Sequence, residues 1–110
     1  MPGSFTDLYM KQLRFQNVIV EEQLPVDSIK HFSYHMQTMM EELGEVLKAD
    51  KRWKTHRNDF HDPENKAEEL ADVFITAFNL AIFSGIKPAE MLKAIEDKIY
   101  KNYERKGIAK

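Results

Sequence analysis

The sequence predicts an all-α fold, a bundle of four to five helices, on three observations. Apolar residues recur at steps of three and four through most of the chain, proline and glycine punctuate it at wide intervals, and no stretch reads as a strand of consequence. With 110 residues the chain fits one domain, residues 1–110, in which Met1–Ser4 form a flexible lead-in. A core of that size is marginal alone, so an oligomer is expected.

The elements follow in order. Thr6 is a good N-cap, and Leu8, Phe15 and Ile19, with Gln12 between them, keep helical spacing to about Val20. Leu24-Pro25 interrupts that pattern, and Asp27 or Ser28 caps a second, longer helix. Its apolar stripe of Ile29, Phe32, Met36, Met39, Leu43 and Leu47 forms one face, and Met36, Met39 and Met40 are read as core filling. Beside it runs a second stripe of His35, Thr38, Glu42, Glu45 and Ala49, so this helix has a greasy side and a chemical side. Residues from about Asp50 to His61 lose the periodicity and become basic and aromatic, reading as a loop or short helix. Asp62-Pro63 marks the start of a third helix, with the aspartate as N-cap and proline at the first helical position, and Gly85 ends it. After Leu70 that helix is apolar nearly all round, apart from one polar line of Glu69, Asp72, Thr76 and Asn79; helix and line are both expected to be buried. Pro88 opens a fourth helix with Leu92, Ile95 and Ile99 as core positions and Lys98, Asn102 and Arg105 on an adjacent face, and Gly107 closes it.

The chemistry is concentrated in two acidic signatures, Glu42-x-x-Glu45 and Glu69-x-x-Asp72. Positions three apart on a helix lie about 60° apart around its axis, so each signature presents two carboxylates to one side. Glutamates alone would make an ordinary solvated face, but aspartate is a poor helix former and Asp72 interrupts the most apolar helix. If the two helices pack together, four carboxylates meet in one cleft and require a cation. Oxygen-only ligands favour magnesium, with manganese as the alternative, over zinc. Lys48, Lys51, Arg52, Lys54, His56 and Arg57 crowd the stretch after the first signature, which suits an anionic, metal-bound ligand such as a polyphosphate. The formal net charge of -2 gives no reason to expect a nucleic acid polymer. There is no cysteine, no secretory signal pattern and no apolar run near the roughly 20 residues that span a bilayer, so a cytoplasmic protein with no membrane partner is expected.

In the forms EELGEVL and EELADVFI, with the KNxxR ending at Lys101, Asn102 and Arg105, the chain resembles the MazG-like branch of the all-α nucleoside triphosphate pyrophosphohydrolases, a superfamily that includes the dimeric dUTPases. The resemblance covers about Phe32 to Arg105. It implies magnesium-dependent hydrolysis of a nucleoside triphosphate to monophosphate and pyrophosphate, with Glu42, Glu45, Glu69 and Asp72 holding the metal and Glu42 or Glu45 orienting the water that attacks the α-phosphorus. It assigns Lys54, Arg57, Lys98 and Arg105 to the phosphates, and Asn102, His35 and Trp53 to the sugar or base. Trp53-Lys54 in a basic segment is similar to the dimeric dUTPase arrangement and tilts the expectation toward a pyrimidine deoxynucleotide. A homo-oligomer, dimer or tetramer, and a house-cleaning role in the nucleotide pool are further implications.

Two rivals have distinct signatures. A di-iron carboxylate bundle uses Glu-x-x-His, and no glutamate here has histidine three residues later. A non-enzymatic helical interaction module would bind a basic partner through its acidic faces; it predicts an exposed Asp72 and no effect of metal on stability.

Overall fold

The structure, a computed structural model, describes residues 3–53 and 61–109. Among them are four helices, α1 (Phe5–Val20), α2 (Ile29–Ala49), α3 (Pro63–Ile82) and α4 (Pro88–Arg105), and no strand. The all-α expectation therefore holds, with four helices.

Local chemistry explains each boundary. Ser4, not Thr6, caps α1 by accepting from the Asp7 backbone N at 3.1 Å, so this end of the expected lead-in belongs to the helix. Glu21 ends α1 in the left-handed region at φ 56°, its N–H bonded to the Asn17 carbonyl, and the Asn17 side chain accepts from Leu24 N at 2.8 Å to shape the turn. Ser28 caps α2, and Asp62 caps α3 by accepting from Asn65 N at 3.1 Å with Pro63 in the first turn. Gly85 lies at φ +77°, where a side chain would be strained, and an added Cβ would stand 3.3 Å from Asp27 N, so the α3–α4 turn favours glycine twice over.

Tyr9, Leu13, Leu24, Ala81, Ile82 and Phe83 form the core. Phe5 and Phe78 meet edge to face at 5.4 Å beside it, and the Tyr9 hydroxyl donates to the Ile86 carbonyl at 2.7 Å. Burial, with Glu90 adding to it, pushes the Tyr9 phenol up to about 12.

α2 and α3 pack as an antiparallel hairpin joined at both ends. At one end Val26 N and Ser28 N donate to the Ile82 and Phe83 carbonyls at 3.1 and 2.9 Å; at the other Asp62 N donates to the Ala49 carbonyl at 2.9 Å and Asp50 bridges to His61. α1 lies against α3, and α4 packs against α1.

Sequence expectations of burial fail on α2, α3 and α4 alike. The stripe that packs toward α3 is the chemical one: His35 and Ala49 are buried and Thr38 and Glu42 half-buried, while Ile29, Met36, Leu43 and Leu47 of the greasy stripe are exposed, Ile29 at 76%. Nor is α3 buried all round, since Phe74 is 66% exposed. The polar line splits accordingly, with Thr76 and Asn79 buried, Glu69 half-buried and Asp72 exposed. Leu92, Ile95 and Ile99 of α4 also remain exposed. Apolar faces that the periodicity marks as core therefore have no cover among the described residues.

Candidate metal centre

The α2–α3 hairpin brings the two acidic signatures together. Glu42, Glu69 and Asp72 each offer an oxygen, all within 4.8 Å of one another. The helical period accounts for this: His35, Glu42 and Ala49 recur every seven residues along the α2 face that meets α3, and Glu69 and Asp72 are one turn apart on the opposing face. Burial raises the Glu42 carboxyl above its ordinary range, and Asp72, Glu69, Glu45 and Glu41 raise it further by repulsion. Carboxylates that crowd until one resists ionisation make a donor set suited to a hard divalent cation.

Glu45, one turn along α2, stands outside that trio, exposed and paired with Lys48 at 3.3 Å. His35 is 8% exposed and its ring lies parallel to that of Phe83 at 5.2 Å, while His31 stacks on the same ring at 4.7 Å. Its Nδ1 is buried without a hydrogen-bond partner, and burial followed by the charge of His31 lowers its pKa. Trp53 is exposed and donates from Nε1 to the Leu47 carbonyl at 3.3 Å. Lys54 and Arg57 lie outside the described residues. Lys98, Asn102 and Arg105 are exposed on α4, where Arg105 donates to the Asn102 side chain.

Polar groups continue from the acids along α3. The buried Thr76 hydroxyl donates to the Asp72 carbonyl at 2.8 Å, and Gln12 of α1 donates from Nε2 to the Asn79 side-chain oxygen at 2.9 Å. On the other side of α3 is an open groove of about 1010 Å³ between α1, α3 and α4, walled by Phe15, Phe74, Ile75 and Ile95. Sequence reasoning missed one group near the acids. Lys66, one turn before Glu69, reaches across to Asp50 at 2.8 Å. Its i−3 spacing from Glu69 was the available signal; its partner across the hairpin was not legible before the fold.

A family model described as phosphoribosyl-ATP pyrophosphohydrolase matches residues 11–99. The match spans both acidic signatures and stops short of Lys101, Asn102 and Arg105. It is to a helical family related to the MazG-like superfamily, not to MazG-like proteins specifically. No curated protein and no solved structure matches the chain.

Proposed function

Because the chain belongs to the phosphoribosyl-ATP pyrophosphohydrolase family, we propose that it hydrolyses a nucleoside triphosphate, or a nucleotide built on one, to the monophosphate and pyrophosphate with magnesium as cofactor. The observation that carries the reading is the convergence of Glu42, Glu69 and Asp72 from two helices inside the matched span. Those three carboxylates would hold the metal. Magnesium, or manganese in its place, would supply neutralisation of phosphate oxygens and of the charge that develops as pyrophosphate leaves.

The protein's own groups have the remaining tasks. Glu45 is one turn from Glu42 and outside the trio, which favours it for orienting the attacking water. The water oxygen bonds to the α-phosphorus, the bond from that phosphorus to the β-bridging oxygen breaks, and the water's proton passes to the carboxylate. Lys54, Arg57, Lys98 and Arg105 are the candidates for the phosphates, and His35, Trp53 and Asn102 for the sugar or base. The exposed faces of α1, α3 and α4 support a homo-oligomer that covers them.

Asp72 is exposed, as the interaction-module reading requires, but its convergence with Glu42 and Glu69 and the family match favour the enzyme. A panel of ribo- and deoxyribonucleoside triphosphates, including pyrimidine deoxynucleotides, together with phosphoribosyl-ATP, tests the reading. Pyrophosphate release from at least one compound, dependent on magnesium, is the expected result. Orthophosphate as the product, or no turnover across the panel with melting temperature indifferent to magnesium, would favour the interaction module.

A further inference from the structure

Three carboxylates held within 4.8 Å repel one another, so in the absence of a cation the hairpin carrying them is pushed apart. The structure opposes that push at both ends. Beyond His35 the helices are tied by the Val26–Ile82 and Ser28–Phe83 backbone bonds and by the stacking of His31 and His35 on Phe83. At the other end the tie is ionic and centres on Asp50, whose side chain is 14% exposed. Arg52 grips that carboxylate through Nε and Nη2 at 2.8 and 2.7 Å and through its backbone N at 3.1 Å. Lys66 reaches it from α3 at 2.8 Å, and His61 Nε2 lies 3.6 Å away.

This pair differs from its neighbours. Lys48–Glu45 and Lys93–Asp97 each stay within one helix, whereas Lys66–Asp50 joins the end of α2 to α3. Lys66 is three residues, about 4.5 Å of helix rise, from Glu69, and Asp50 is eight residues, about 12 Å, from Glu42. The tie therefore lies close enough to the acids to control the gap between their helices. Arg52 and Lys66 hold the Asp50 carboxyl well below the usual carboxylate range, so the tie persists wherever the acids are ionised.

We infer that Lys66 and Asp50 are positioning residues for the cation site, a cross-helix ion pair that holds α2 and α3 at the spacing where Glu42, Glu69 and Asp72 converge. The inference rests on the metal reading of the preceding subsection. Simple electrostatics and positioning make opposite predictions for Lys66. Removing a cation beside three carboxylates should tighten binding of a divalent ion by charge alone; releasing the helices should weaken it.

Manganese alone, titrated against the purified protein and followed by electron paramagnetic resonance or calorimetry, is the probe, with far-ultraviolet circular dichroism to confirm helicity. Lys66→Met should weaken manganese binding about tenfold or more, in the range found when groups that orient metal ligands are removed. Lys66→Arg, which keeps the pair, should stay within about threefold of the parent, and Lys93→Met should change nothing. Asp50→Asn should weaken binding comparably, and the double variant Asp50→Asn/Lys66→Met should be no worse than either single one, because both remove the same tie. Unchanged or tighter binding in Lys66→Met, or strictly additive losses in the double variant, would overturn the inference. If the parent protein and Glu42→Gln both ignore manganese, the metal reading itself falls and this inference with it.

Discussion

Glu42 meets Glu69 and Asp72 at the junction of the two acidic signatures, and its raised pKa, from burial first and then from its acidic neighbours, has a direct consequence. A proton competes with a cation for that carboxylate, so manganese affinity should fall on acidification from a pH above the range in which an ordinary glutamate protonates, about 4.3. Titrations at stepped pH check this, and Glu42→Gln should remove that dependence together with most of the binding. Asp72→Asn keeps the shape and removes the charge; it should abolish turnover, by orders of magnitude, with helicity intact. Full activity in that variant would take Asp72 out of the site. His35 supplies a separate test. Burial and His31 both disfavour its imidazolium in the fold, so the unfolded chain takes up the proton more readily, and stability present above about pH 6.5 is lost as pH falls through that value toward the lowered one. His35→Phe also removes a buried nitrogen without a partner, so its melting temperature should equal or exceed that of the parent and decline less on the acid side.

At the scale of elements, most boundaries are written in local chemistry. Asp62-Pro63 begins α3 as the sequence indicates because an N-cap needs only residues near in the chain, and Asp62→Ala should cost about 1 kcal/mol in denaturant unfolding. The cap of α1 is misread for the same local reason: Ser4 and Thr6, two residues apart, are both good caps, and local backbone geometry decides between them. Which face of α2 packs on α3 is a different kind of question. Both stripes have helical spacing, and apolar content alone selects the greasy one. The fold selects the stripe of His35, Glu42 and Ala49, in which Glu42 meets Glu69 and Asp72 and His35 stacks on Phe83. Buried polar groups tolerate few partners, whereas an apolar face accepts almost any apolar cover.

The whole molecule is open for its length. Its radius of gyration is 16.8 Å, against about 13 Å for a compact domain of this size. Phe15, Phe74 and Ile95 wall a groove that is left uncovered among the described residues. The proposed homo-oligomer predicts a sedimenting species larger than one chain, and Phe74→Asp should shift it toward monomer by at least tenfold in dissociation constant and lower the melting temperature. A parent that sediments as a stable monomer would remove the oligomer from the proposal. The sequence by itself determined the helical class, the helix-starting cap at Asp62, and the pairing of carboxylates on each of two helices, since all of these depend on residues within a turn or two of one another. Only the tertiary structure decided that Glu42 faces Glu69 and Asp72 while Glu45 stands aside, that Ile29, Met36, Leu43 and Leu47 of α2 are left exposed, and that Lys66 finds Asp50. Those contacts join residues 16 to 30 positions apart, and their geometry follows from how two helices rotate against each other, a degree of freedom that periodicity does not encode.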